Sequence, residues 1–148
     1  MRHIFRIIST CLLMLICLSA STSAAEVGNL ELDFEILSSD NLLSRAAPVY
    51  GDVRQGEVDI HTYYVASGST ALDISLTWDI SQGNGLRLII HPPSGTPISF
   101  NDDVDGNTNG KIILTTPLPS SMTGQYWRFD VVGVSVNGVQ SYTLKINC

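Results

Sequence analysis

The feature that most constrains the fold is the alternation of apolar and polar residues in short runs. Every second residue is apolar in 72–78 and again in 86–90, and a period of two is typical of a strand that buries one face. Beyond the first 25 residues, the helical period is confined to 39–47, which could make one or two turns before Pro48 ends it. The alternation therefore predicts a protein built mainly from β-strands.

The strand-like runs are separated by signals for tight turns. Runs of the same kind occur near 32–36, 58–65, 98–100 and 111–115, and two longer ones lie at the C-terminal end. Asn-Gly pairs at 84–85, 109–110 and 137–138 supply residues that tolerate turn conformations. About eight short strands without crossover helices predict an all-β fold, an antiparallel two-sheet β-sandwich that is jelly-roll-like.

The two C-terminal runs can be paired around their turn. If Asn137 and Gly138 form a two-residue hairpin turn, one register places apolar residues together and opposite charges together. We therefore predict a hairpin. Its predicted pairs are Phe129 with Ile146, Val131 with Leu144, Gly133 with Tyr142, and Asp130 with Lys145. Trp127 falls on the face of Phe129, so it is expected in the core together with Trp78.

The first 25 residues have the pattern of a signal peptide. Arg2 and Arg6 precede a short apolar stretch and a run of small residues. The apolar stretch is shorter than the roughly 20 residues that span a bilayer, so we expect cleavage and no membrane anchor. The predicted organisation is a signal peptide at 1–25, an N-terminal strand or linker at 26–52, and the β-sandwich domain at 53–148. This predicts a secreted protein, either extracellular or periplasmic.

Cleavage after residue 25 would leave an acidic chain with one cysteine. It would retain six basic and fourteen acidic residues, a charge of about −8, and only Cys148 among the cysteines. The charge argues against nucleic acid and against an anionic membrane surface as partners. A single cysteine excludes an intramolecular disulfide, so the predicted domain depends on its hydrophobic core for stability.

One loop, 101–110, is rich in the oxygen donors that calcium prefers. Alternate donors followed by glycine resemble half of an EF-hand loop, but residue 116 is threonine where the closing glutamate would stand. The open alternative is a turn in which these side chains bond their own backbone. The candidate calcium ligands are Asp102, Asp103, Asp105, Asn107 and Asn109.

Catalytic motifs are missing from the sequence. It has no Gly-x-Ser-x-Gly elbow and no His-Glu-x-x-His zinc motif, and only His61 and His91 follow the predicted signal peptide. We therefore expect that the protein is not an enzyme. Tyr63, Tyr64 and Tyr126 lie in strand-like runs, where an exposed aromatic ring could stack on a sugar and a buried one would cover the sheet.

Three stretches of the sequence carry a further pattern. They are 56–78, with Tyr63-Tyr64-Val65 and a strand ending in Trp78; 86–95, ending in Pro-Pro-Ser-Gly; and 124–146, with Gly-Gln-Tyr-Trp-Arg-Phe-Asp-Val. Together they resemble the pre-peptidase C-terminal domain family of secreted bacterial and archaeal proteins. The resemblance implies a non-catalytic accessory β-sandwich. Calcium-dependent members often carry acidic residues in the strand where this chain has Arg87, so no calcium site is carried over to that strand.

The sequence therefore predicts a secreted, non-catalytic accessory or interaction domain. The alternative is a calcium-assisted carbohydrate-binding module. The expected partner is another secreted or surface protein, such as a peptidase, or a glycan.

Overall fold

The computed structural model describes residues 32–37 and 46–148. The predicted signal peptide at 1–25 lies outside these residues, as does most of the predicted helical turn at 39–47. The described residues form nine strands. In chain order they are β1 Glu35–Ile36, β2 Pro48–Val53, β3 Val58–Val65, β4 Ala71–Trp78, β5 Gly85–His91, β6 Ile98–Asn101, β7 Lys111–Pro117, β8 Gln125–Ser135 and β9 Gln140–Asn147.

Two antiparallel sheets pack against each other. The five-stranded sheet has the order β1-β7-β4-β9-β2, and the four-stranded sheet has the order β3-β8-β5-β6. Strands β2 to β9 thus form two facing sets of four, and each connection among them crosses between the sheets except the one from β5 to β6. This is the strand order of a jelly roll. The predicted all-β, jelly-roll-like β-sandwich of about eight strands is confirmed, with the two-residue β1 added at one edge.

The core lies between the sheets and is built from the alternate residues that the sequence pattern marks. Leu72, Ile74 and Leu76 of β4 are fully buried, as are Trp127 and Phe129 of β8. The indole N–H of Trp127 donates to the carbonyl of Met122 at 3.0 Å, so burial of the ring leaves no unpaired donor. Trp78 is also buried, and the prediction that both tryptophans belong to the core is confirmed.

The predicted C-terminal hairpin is wrong. Strand β8 pairs with β3 and β5 in the four-stranded sheet, whereas β9 pairs with β2 and β4 in the other sheet. Phe129 and Ile146 are therefore not hydrogen-bonded neighbours, and both side chains are buried in the core between the sheets. Asp130 is paired with Arg128 and His91 rather than with Lys145.

The error has a physical reason. Two strands joined by a short loop bury alternate residues on one face when they lie side by side, and also when they lie opposite each other across a core. The pattern of apolar residues is the same in both arrangements, so it does not distinguish a hairpin from two strands that face each other across the core. Tyr142 does lie across a glycine, but the glycine is Gly51 of β2, its partner in the ladder, and not Gly133.

Strand β2 places residues 48–53 in the five-stranded sheet through six paired positions with β9. The segment 26–52, predicted as an N-terminal strand or linker, thus contributes β1 and the first five residues of β2 to the sandwich. Cys148 is a free, exposed thiol. Among the described residues, none belongs to a helix long and apolar enough to cross a membrane.

Candidate functional site

The acidic loop folds onto its own backbone. Asp102–Asp105 form one 3₁₀ turn, which ends at Gly106 in the left-handed region with a φ of 83°. The carboxylate oxygen Oδ1 of Asp102 accepts the backbone N–H groups of Asn109, Gly110 and Lys111 at 3.2, 2.9 and 3.2 Å. A single buried carboxylate therefore ties the end of the loop to its start, because three donors converge on one oxygen.

The other candidate calcium ligands are only partly drawn together. Oδ1 of Asp105 accepts the backbone N–H of Asn107 at 2.9 Å, and Oδ2 accepts the side-chain amide of Asn109 at 3.3 Å. Asp103 and Asn107 are exposed. The side-chain oxygen of Asn109 is buried and has no hydrogen-bond partner among the described residues. Calcium takes six to eight oxygen ligands, and this atom would supply one of them.

This geometry matches the self-bonded turn rather than an open set of ligands. Across residues 32–37 and 46–148, no three His, Cys, Asp or Glu side chains are grouped so that they could hold a metal ion. Thr116, which stands where the closing glutamate of an EF-hand loop would be, is buried in β7 opposite Leu72. Calcium binding by this loop stays a prediction.

His91 belongs to a charged cluster on the outer face of the four-stranded sheet. Asp130 is buried there, and its carboxylate accepts Nε and Nη2 of Arg128 at 2.6 and 2.8 Å and Nε2 of His91 at 2.9 Å. Burial raises the pKa of Asp130, but the hydrogen bonds from Arg128 and His91 outweigh it and hold the pKa below its ordinary value. The cluster links β5 to β8 through the hydrogen bond between His91 and Asp130.

His61 belongs to a second cluster, which joins the two sheets where β2 and β3 approach. The hydroxyl of Tyr142 donates to Asp59 at 2.5 Å and lies 2.6 Å from Nε2 of His61. Because the hydroxyl has one proton, the bond to His61 is one in which Nε2–H donates to the tyrosine oxygen. Burial, the hydrogen bond to Asp59 and the charges of Asp59 and Asp52 raise the pKa of Tyr142 above its ordinary value.

The aromatic residues that the sequence offered for ligand contact divide into exposed and half-buried ones. Tyr64 and Tyr126 are directly opposite each other in the β3–β8 ladder, with ring centroids 5.1 Å apart, and both are exposed. Tyr63 is half-buried and packs against the core. Ile60 and Val58 continue the exposed row along β3. We call the surface formed by Val58, Ile60, Tyr64 and Tyr126 the β3–β8 face.

The five-stranded sheet carries a second surface that the sequence did not predict. An open groove of about 600 Å³ crosses β2, β9 and β4 and includes Tyr50, Asp52 and Thr143. Tyr50 and Asp52 fall within the predicted N-terminal strand or linker at 26–52. The proline and glycine of their run weaken its strand signal, because both residues are uncommon inside strands. Their alternation with Val49, Gly51 and Val53 is the signal that could have revealed the strand. We call this surface the Tyr50 groove.

The comparisons with known proteins give a distant similarity among solved structures. No protein-family model and no curated protein matches the chain. A solved structure, the P-domain of Penaeus vannamei nodavirus, is 20% identical with a TM-score of 0.38, and the match covers 70% of this chain and 98% of the viral one.

Proposed function

We propose that this chain is an exported, non-catalytic accessory domain that binds another secreted or surface protein through its β3–β8 face. The observation that carries the proposal is the exposure of two groups of large apolar side chains on this face, Val58 with Ile60 and Tyr64 with Tyr126. The polar pair of Thr62 and Arg128 lies between the two groups. The exposed fractions are 45% for Val58, 52% for Ile60, 49% for Tyr64 and 70% for Tyr126. Contiguous exposed apolar groups on a folded domain are typical of contact surfaces, and tyrosine is enriched in such contacts.

The register explains why these side chains share one surface. Val58, Ile60 and Tyr64 are opposite Val132, Asp130 and Tyr126 in the antiparallel ladder, and directly opposed residues point to the same side of a sheet. Trp127 and Phe129, between them on β8, point into the core. The exposed row is therefore a consequence of the same alternation that builds the core.

The charge of this face also suits contact with protein. The chain as a whole is acidic, with a formal charge of −6. On the face, Arg128 is 46% exposed, and its guanidinium binds both oxygens of the buried Asp130. The pair is neutral in sum, so the face can be covered without burying an unpaired charge, which would be costly.

The sequence resemblance to pre-peptidase C-terminal domains supports the same class of function. Such domains accompany peptidases, and the partner that this resemblance suggests is a peptidase on a separate chain. A non-catalytic role is supported by the hydrogen bonds of the two histidines that the structure describes. His91 is bonded to Asp130, and His61 is bonded to Tyr142.

The test is affinity capture from the extracellular fraction with the protein and two matched variants. Ile60→Asp places a charge on the β3–β8 face, and Val139→Asp places one at a residue of similar exposure, 50%, in the loop before β9. We expect the protein and Val139→Asp to capture the same secreted partner, and Ile60→Asp to capture about tenfold less, because a charge must be desolvated. Equal capture by both variants would contradict the proposal.

A further inference from the structure

The Tyr50 groove is formed by side chains from three strands that the ladder places on one side of the sheet. Tyr50 of β2 is opposite Thr143 of β9, which is in turn opposite Thr77 of β4. Asp52 is likewise opposite Ser141. Because opposed residues of an antiparallel sheet share a face, all five side chains lie on the outer surface of the five-stranded sheet, remote from the β3–β8 face.

The groove combines one aromatic ring with hydroxyl groups and carboxylates. Tyr50 is 74% exposed, and the polar lining comes from Thr77, Ser141, Thr143 and the two aspartates Asp52 and Asp79. The described residues that line it include no lysine, arginine or histidine. The carboxylates of Asp52 and Asp79 would repel an anionic ligand, and a wholly apolar ligand would desolvate the carboxylates and hydroxyls without replacing their hydrogen bonds.

One of the two carboxylates is held in place. Oδ1 of Asp79 accepts the backbone N–H of Ser81 at 2.8 Å, and Oδ2 accepts its hydroxyl at 3.0 Å. These hydrogen bonds lower the pKa of Asp79, so the group is charged at neutral pH. Each oxygen has accepting capacity left, since a carboxylate oxygen accepts two hydrogen bonds. Asp79 is therefore an oriented acceptor at the rim of the groove.

The floor of the groove is also fixed. Tyr142 and Gly51 contribute to it, and the hydroxyl of Tyr142 is hydrogen-bonded to Asp59 across the sandwich at 2.5 Å. A floor built on a ladder and an inter-sheet bond changes little when a ligand arrives, and this lowers the entropic cost of binding.

We propose that the Tyr50 groove binds a sugar ring that carries no negative charge. A sugar ring has an apolar face of C–H groups and a rim of hydroxyls. The apolar face stacks on the exposed ring of Tyr50, and neighbouring hydroxyls donate to the carboxylates of Asp52 and Asp79. This proposal goes beyond the proposed function, because the Tyr50 groove lies on the five-stranded sheet and the β3–β8 face lies on the four-stranded sheet. No residue of the acidic loop lines the groove, so the proposed binding involves neither that loop's carboxylates nor calcium.

The test begins with the purified protein on an array of neutral and uronate-containing glycans in the presence of EDTA. The best neutral oligosaccharide, hexagalacturonate and hexalysine are then titrated into the isotope-labelled protein and followed by amide chemical shifts. We expect saturable shifts on β2, β4 and β9 with the neutral oligosaccharide only. Tyr50→Ala should weaken binding about tenfold, and Asp52→Asn about fivefold because a neutral acceptor forms weaker hydrogen bonds.

Tyr126→Ala is the matched control, since it removes a tyrosine of similar exposure, 70%, from the opposite sheet. It should leave sugar binding unchanged while weakening partner capture, and Tyr50→Ala should do the reverse. The inference is overturned if no neutral glycan binds, if binding is unaffected by Tyr50→Ala, or if hexalysine binds the groove more tightly than the sugar. None of these results bears on the β3–β8 face, so failure here is distinguishable from failure of the proposed function.

Discussion

The close contact between Gly51 and Tyr142 gives the most demanding prediction about stability. A Cβ atom added to Gly51 would stand 2.2 Å from the hydroxyl oxygen of Tyr142, 2.5 Å from its Cζ and 2.7 Å from Oδ2 of Asp59. Ordinary contacts of such atoms are about 3.5–4.0 Å. In Gly51→Ala the tyrosine ring must therefore move, and its hydrogen bonds to Asp59 and His61 must lengthen or break.

The magnitude follows from two costs and one opposing gain. Crowding a packed site with one methyl group costs typically about 1–3 kcal/mol, and each disturbed hydrogen bond about 0.5–1.5 kcal/mol. Replacing a strand glycine by alanine returns roughly 0.5–1 kcal/mol through backbone entropy. We expect Gly51→Ala to lower the free energy of unfolding by about 2–4 kcal/mol, which corresponds to a fall of at least about 8 °C in the melting temperature of a domain this size.

The matched control is Gly85→Ala. Gly85 is also a strand residue, but an added Cβ there meets only the Cβ of Ser135 at 3.8 Å, an ordinary contact. Thermal melts by circular dichroism and calorimetry should show Gly85→Ala near or above the melting temperature of the unmodified protein. If Gly51→Ala melts at the same temperature as Gly85→Ala, the argument that Gly51 packs tightly against Tyr142 is refuted.

Four further predictions concern the charged and hydrogen-bonded groups. The pKa of Asp130 is depressed. Its carboxylate therefore stabilises the fold above the ordinary pKa of about 4, and this stabilisation is lost as the pH falls further. The melting temperatures of Asp130→Asn and the unmodified protein should differ at pH 7 and converge in acid. The raised pKa of Tyr142 predicts the opposite dependence of stability on pH. Its stabilisation is present below about pH 10 and declines above it, and Tyr142→Phe should lack this alkaline decline; an equal decline in the variant would count against the assignment. Asp102→Ala should destabilise by about 1–3 kcal/mol because three backbone N–H groups lose their acceptor, whereas Asp103→Ala, at an exposed residue, should change stability by less than about 0.5 kcal/mol, as measured by urea unfolding. Melting with excess calcium and with EDTA tests the predicted calcium site, which requires a higher melting temperature with calcium.

The fold was accessible from the sequence because alternation reports which residues face a core. It correctly indicated β3 at 58–65 and the burial of Trp78 and Trp127. Alternation contains no information on which strand lies beside which. The pairing of β8 with β3 and β5 joins residues far apart in the chain, and it is determined by how two sheets close around a core.

The surfaces were accessible only in part. Exposure of Tyr64 and Tyr126 follows from their place in the alternation, but their contact depends on the β3–β8 register. Likewise, Tyr50 meets Thr77 in one groove only because β9 lies between β2 and β4. The acidic loop illustrates the converse: its donor spacing suggested a metal site, while the hydrogen bonds that occupy Asp102 depend on how the loop folds back.

The most direct test of the central claim is site-specific photo-crosslinking in the producing culture. The photoreactive residue p-benzoylphenylalanine is placed at Ile60 in one protein and at Val139 in another, which are exposed to a similar extent on different surfaces. After irradiation, the cross-linked species are separated and identified by mass spectrometry. We predict a defined secreted or surface protein attached at position 60 and none at position 139. The same products at both positions, or none at position 60, would contradict the claim that the β3–β8 face binds a partner.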